Sequence, residues 1–230
     1  MNLLQSKLEL PCGATIKNRI AKSAMTERIA DPGNVVSKKH LNLYSRWAKS
    51  ECGLLISGNI IVDSYNLEGA GNIVLNKKNF YEQADRLREL TKVAKSNQTH
   101  FWAQLSHAGR QTPYQINKTP MAPSSVQLKI PGRRYGVPKE MSVEDIKNTI
   151  NQFVQSAKLA QEVGFTGIQL HSAHGYLLSQ FLSPNTNRRK DEWGGSLENR
   201  SRLLIEIIRH CRAHLGVQYP ISVKLNSSDF

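Results

Sequence analysis

The chain has 230 residues, 39% of them hydrophobic and 21% charged, a balance that suits a globular protein of one large or two small domains. No apolar run approaches the ~20 residues of a membrane-spanning helix, and Lys7 and Glu9 interrupt the N-terminal apolar stretch, against a secretory signal. The formal charge of +13 invites an anionic partner, but the lysines and arginines are scattered and no DNA-reading motif accompanies them, so neither nucleic acid nor membrane is an expected partner. The densest basic cluster is Asn187–Lys190, and Cys12, Cys52 and Cys211 form no CxxC pair, which favours a cytoplasmic location.

In chain order, Arg19–Met25 reads as a first strand. A helix follows, with Ser37 as its cap, Leu41, Tyr44 and Ala48 at helical spacing, and Gly53 closing it. Leu54–Val62 is a near-continuous apolar strand of the kind buried on both faces. A second helix is expected over Asn79–Ser96 and a third strand over His100–His107, followed by a long Pro- and Gly-containing loop, Ala108–Glu140. Ser142 and Asp145 open a third helix in a capping-box pattern, and Gly164 ends it. Thr166–His171 is a fourth strand, Ser196 and Gly216 bound a fourth helix, and Pro220–Asn226 is a fifth strand.

Strands alternating with helices predict a parallel sheet with right-handed crossovers. An open doubly wound sheet normally carries G-x-G-x-x-G after its first strand, and this chain lacks it. Polar residues instead gather at the C-terminal end of every strand: Ser23 and Thr26, Ser57 and Asn59, Gln104 and His107, His171 and His174, Lys224 and Asn226. A (β/α)8 barrel concentrates its chemistry at that face. The expected class is therefore α/β, of the TIM (β/α)8-barrel type, with five strands and four helices present. His171 and His174, followed by Tyr176, read either as hydrogen-bonded core residues, as metal ligands or as paired donors to a ligand. A zinc site needs further ligands that the motif does not supply, so no metal is expected.

The segments KNRIAKSAMT, WAQLSHAGRQ and QLHSAHGYLLSQFLSPNTNRRKDEWGGSLENR resemble, in order, the first, third and fourth strand regions of the old yellow enzyme family, FMN-dependent NAD(P)H:flavin oxidoreductases and ene-reductases. The resemblance covers nearly the whole chain. It implies FMN across the barrel mouth, NAD(P)H as reductant and an α,β-unsaturated carbonyl compound as the small-molecule substrate. By this resemblance His171 and His174 grip the substrate carbonyl as negative charge develops on it, and Tyr176 protonates the α-carbon. It assigns Ser23, Ala24 and Met25 to lining the flavin and Thr26 to a hydrogen bond near flavin O4/N5. Gly58 is assigned to close approach of the flavin, Gln104 to the pyrimidine edge and Lys224 to positive charge near N1/O2, where many relatives have Arg. Arg28 stands where several relatives place an aromatic. Asn199 and Arg200 read as structural ties. The Ala108–Glu140 loop reads either as a lid whose PGRRYG contacts an anionic substrate or the nicotinamide cofactor, or as a mobile solvated loop.

The family's remaining strands, six to eight, and its phosphate site would lie beyond Phe230. Residues 1–230 are thus expected to form a partial FMN-binding barrel domain, truncated or split, that holds FMN weakly by itself. Its open edges would suit a homo-oligomer or a complementing C-terminal barrel fragment. The alternative is a non-catalytic barrel half that does not retain flavin; a basic nucleic-acid binder is the weakest reading.

Overall fold

A computed structural model describes residues 3–228. Strands β1 (Leu8–Glu9) and β2 (Thr15–Ile16) form a short antiparallel pair. They are followed by β3 (Ala21–Lys22), α1 (Lys38–Ala48), β4 (Leu54–Ile61), β5 (Ile73–Val74), α2 (Lys77–Ala94) and β6 (His100–Ser106). The second half contains β7 (Met121–Ala122), β8 (Lys139–Glu140), α3 (Val143–Glu162), β9 (Gly167–Ser172), α4 (Leu177–Leu182), α5 (Leu197–Leu215) and β10 (Ile221–Leu225). Strands β3, β4, β6, β9 and β10 lie side by side in chain order, all parallel, and β5 pairs with β4 away from this row. Sequential parallel order is what repeated right-handed crossovers produce, and the five strands are a curled section of barrel wall. Among the described residues β10 pairs only with β9, and β3 only with β4.

Alternation along each strand sorts the side chains into two layers. Leu55 and Ile60 of β4, Phe101 and Leu105 of β6 and Ile168 of β9 pack outward against Tyr44, Leu87, Phe153 and Ile207 of the helices. Each such side chain contributes roughly 1.5–3 kcal/mol when fully buried, so this sheet–helix layer dominates the stability. Inward, Leu54, Ile56 and Trp102 join Ile16 and, at the margin, Leu8, Leu10 and Ala24. The β1–β2 pair therefore closes the N-terminal end of the barrel wall. Gly167 is required here, because a Cβ would lie 2.5 Å from the Trp102 indole nitrogen.

The capping boxes read from Ser142 and Asp145 are present, with Ser142 N–H donating to Asp145 Oδ2 (2.9 Å) and Asp145 N–H to Ser142 Oγ (3.1 Å). Ser196 caps α5, and Gly216 ends it at φ 85°. Four expectations need correction. Helix α1 stops at Ala48, not at Gly53. Gly53 instead permits a close approach, since its Cβ would meet Asn18 and Ile16 at 2.7 Å. The first strand holds its ladder only at Ala21–Lys22, because the chain beyond it crosses over Gly58. Helix α2 starts earlier than Asn79, capped by Asn76. The described residues contain five α-helices, not four: α4 is six residues of LLSQFL, too short to show a helical period.

His40 gives a measurable consequence. It is 1% exposed, its Nδ1 accepts from Ser37 N–H (3.1 Å), and burial holds its pKa down to about 4, against the opposing charge of Asp31. The unfolded chain binds this proton first as pH falls below about 6.5, so stability is full above that pH and is lost as pH falls toward 4. The loss should be about 3 kcal/mol, and His40→Gln should flatten that limb of urea midpoint against pH. An unchanged slope in the variant would remove His40 as its source.

Candidate active site

The inner face turns polar above its apolar floor. Gln104 Nε2 donates to Gln169 Oε1 (2.6 Å) and Gln169 Nε2 to Ser222 Oγ (3.1 Å), linking β6, β9 and β10 in one layer. The amide assignment follows from this network, and it leaves Gln104 Oε1 as an acceptor. Asn59 Oδ1 and Ser106 Oγ, on the same face, are buried without a hydrogen-bond partner among the described residues. Buried polar atoms normally have partners, so this wall is suited to a polar ligand.

The next layer holds the histidines. His171 and Lys224 are cross-strand neighbours on β9 and β10. Beyond β9 the chain turns through His174 at φ 60° and Gly175 at φ 74°. A histidine in the left-handed region needs external support, and two hydrogen bonds provide it. His174 N–H donates to Asn226 Oδ1 (2.8 Å), and Gln111 Nε2 donates to His174 O (2.6 Å). The His171 ring lies 5.1 Å from the His174 ring and 4.9 Å from that of Tyr176, edge-on to both.

Ala173 N–H donates to His171 Nδ1 (3.4 Å), which leaves Nε2 to carry the proton of a neutral imidazole. Burial, with the charges of His174 and Lys224, pushes the His171 pKa down to about 3. Burial and Lys224 lower His174 as well. Tyr176 moves the other way: burial, then the Glu68 charge, raise its pKa well above the ordinary phenol value, and Arg28 opposes them. The arrangement is a neutral imidazole donor, a phenol that holds its proton and a nearby ammonium.

Glu68 is the residue that sequence reading missed. It accepts from Thr26 Oγ1 (3.2 Å), from Arg28 NH2 (3.1 Å) and from Asn59 Nδ2, and is nearly buried. An acidic side chain in the glycine-containing loop after a buried strand was the available signal. Thr26 thus commits its hydroxyl to Glu68. At Gly58 a side chain would meet the Glu27 carboxylate and the Met25 carbonyl. Gly58 N–H donates to Glu27 Oε1 (3.2 Å), which also accepts from Tyr44 Oη (2.6 Å). Ser23, Ala24 and Met25 run along the rim beside β4, with Ser23 O bound by Lys22 Nζ (2.8 Å) and Met25 50% exposed.

The remaining motif residues are ties. Arg200 Nε donates to Leu182 O (2.7 Å), and Asn199 Oδ1 accepts from Arg202 (2.7 Å). The 108–140 segment is pinned by the parallel β7–β8 pair and by Tyr114 N–H to Arg134 O (3.0 Å). A cavity of about 540 Å³ between the start of α2 and α3 lies on the outer helical layer, lined by Asn76, Met121 and Asp145 and by none of the residues at the strand ends. Among the described residues no three His, Cys, Asp or Glu side chains are placed to hold a metal, and no helix is long and apolar enough to cross a membrane.

Fold and mouth together define an α/β-barrel protein with its polar site at the C-terminal strand ends. The chain belongs to the NADH:flavin oxidoreductase / NADH oxidase family, whose model matches residues 11–230. This family binds FMN and uses NAD(P)H. The chain is 34% identical to the NADH-dependent flavin oxidoreductase iliE of Hypocrea jecorina, across 96% of this chain and 59% of that protein. It is 38% identical to the NADPH dehydrogenase of Geobacillus sp. (strain WCH70), across 95% of this chain and 62% of that one. The old yellow enzyme homologue from Zymomonas mobilis superposes with a TM-score of 0.86 at 27% identity, covering 96% of this chain and 62% of that structure. The chain thus spans about 60% of the length of these relatives.

Proposed function

We propose that this chain forms the substrate side of an FMN-dependent ene-reductase site, in which the mouth binds an α,β-unsaturated carbonyl compound, polarises its oxygen and protonates its α-carbon. The observation that carries this reading is His171 itself, buried, neutral and with Nε2–H as its donor, packed edge-on against a protonated tyrosine. FMN reduced by NAD(P)H supplies the hydride when bound. The chain's polar groups fit the ring of that cofactor: the acceptors Gln104 Oε1 and the unpartnered Asn59 Oδ1 form a polar wall with the unpartnered Ser106 hydroxyl, and Lys224 adds a cation. Ser23, Ala24, Met25 and Thr26 form the rim on the β3 side. His171 and His174 donate to the carbonyl oxygen and stabilise its growing charge, while Tyr176 keeps its proton for the α-carbon. Residues 1–230 act as a partial barrel domain, and a complementing barrel segment or a second copy covers the open edges of β3 and β10.

The test uses a form that holds FMN, such as this chain joined to the segment by which the Zymomonas homologue exceeds it. Anaerobic flavin bleaching by NADH or NADPH, then recovery of colour on adding 2-cyclohexenone, is the expected result. Bleaching with no recovery by any enone would leave a flavin reductase and remove the ene-reductase reading. In the same form Lys224→Met should lower the flavin midpoint potential by about 30 mV, the equivalent of about 1.4 kcal/mol for a two-electron couple. An unchanged potential takes Lys224 out of the flavin site.

A further inference from the structure

Arg28, Glu68, Arg133, Arg134 and Tyr135 line a cavity of about 380 Å³ beside the mouth. We infer that this cavity binds a carboxylate or phosphoryl group of the molecule that occupies the mouth, so that the site selects anionic ligands. The inference rests on the reading of His171 and Tyr176 given above. Three guanidiniums face one carboxylate here, and that carboxylate is committed. Glu68 pairs with Arg28 at 3.1 Å and also accepts from Thr26 and Asn59. Arg133 and Arg134 form no ion pair among the described residues.

These two cations do not sit on a featureless loop. The Arg134 guanidinium lies over the Tyr114 ring, 3.7 Å from its centroid, and such stacking fixes its plane while leaving its edge N–H groups for a ligand. Tyr114 N–H donates to Arg134 O (3.0 Å), Gln127 Nε2 to Tyr135 O (3.0 Å) and Arg133 N–H to Ile130 O (3.1 Å). Gly132 makes the turn at φ 73°. The wall is thus formed before a ligand arrives, and planar N–H edges match carboxylate and phosphate oxygens. The cavity adjoins the proposed acid, since Glu68, Arg28 and Tyr135 all act electrostatically on Tyr176. A ligand that reaches both places has its reacting carbonyl at His171 and its anionic group at Arg133 and Arg134.

The test is calorimetric titration of the chain with glutarate, a dicarboxylate probe, and with 2′-AMP, a nucleotide phosphate probe. Saturable binding of at least one is expected, weakened at least tenfold in Arg133→Gln/Arg134→Gln. It should be unchanged in Lys38→Gln/Lys39→Gln, which removes the same charge from α1, with circular dichroism showing that both variants are folded. Binding of glutarate identifies the anion as a carboxylate of the substrate type, and binding of 2′-AMP alone identifies it as a phosphate of the nicotinamide donor. No saturable binding of either probe, or equal weakening in both double variants, overturns the inference. Loss of enone reactivity with probe binding intact would instead fault the ene-reductase reading, so the two failures are distinguishable.

Discussion

Replacing His171 by alanine should slow reoxidation of bound flavin by an enone about 100-fold, while reduction by NAD(P)H changes little. Loss of one pre-placed donor to a developing oxyanion costs about 3 kcal/mol in comparable sites. The asymmetry follows from the role, since only the oxidative half-reaction builds charge on a substrate oxygen. His171→Asn, which keeps a donor N–H, should recover part of the rate. His174 is exposed and holds a left-handed backbone at φ 60°, so His174→Asn, which tolerates that conformation, is its informative partner variant and should cost less. The pH profile adds a second check. Burial keeps His171 neutral down to about pH 3, so the enone step should show no inflection near 6.5 that disappears with His171. Rapid-mixing absorbance of each half-reaction measures this, and equal slowing of both halves would assign His171 to flavin binding instead.

The elements legible in the sequence were those specified locally. Leu54–Ile61 is a run of apolar residues that no single-faced element would carry, and it is buried throughout. Ser142 and Ser196 announce helix starts because a cap needs only its own next turn. What escaped depends on partners distant in the chain. Gly53 resembles a helix stop, yet its reason is contact with Asn18, more than thirty residues earlier. The need for glycine at position 58 comes from Glu27 and Met25, more than thirty residues earlier in the chain. Glu68 shows no spacing pattern, because Thr26, Arg28 and Asn59 reach it from two other segments. The histidine motif was legible as a motif, but the tautomer of His171 required the backbone turn that aims Ala173 N–H at it.

Arg189→Met should lower folding stability by about 2–5 kcal/mol, the sum of two buried carbonyls losing their donor. The side chain is 5% exposed, although it belongs to the densest basic run of the sequence. Its NH1 donates to Pro123 O (3.2 Å), Met141 O (2.6 Å) and Glu140 Oε1 (3.4 Å), while Nε and NH2 grip Asp191 at 3.0 and 2.5 Å. One guanidinium thereby joins the β7–β8 segment to the turn that leads into α5, which is the base on which the 108–140 loop stands. Methionine fills similar volume but leaves the Pro123 and Met141 carbonyls without that donor, and an unsatisfied buried group costs about 1–3 kcal/mol. Arg189→Lys keeps the charge but not the planar fork, so it should fall between the two. Asp191 reports the same contact: hydrogen bonding to Arg189, opposed by burial, holds its carboxyl below the usual range. Its contribution is present above about pH 3.9 and is lost as pH falls through the lowered value, a limb that Arg189→Met should shrink. Asp191 is partly exposed, so that limb is small beside the loss of the buried contacts. Urea midpoints of the three proteins, converted with a slope of roughly 1–3 kcal/mol per molar, measure the ordering; a methionine variant within about 1 kcal/mol of the parent would mean that packing of Trp193 and Met141, not this guanidinium, holds the two segments together.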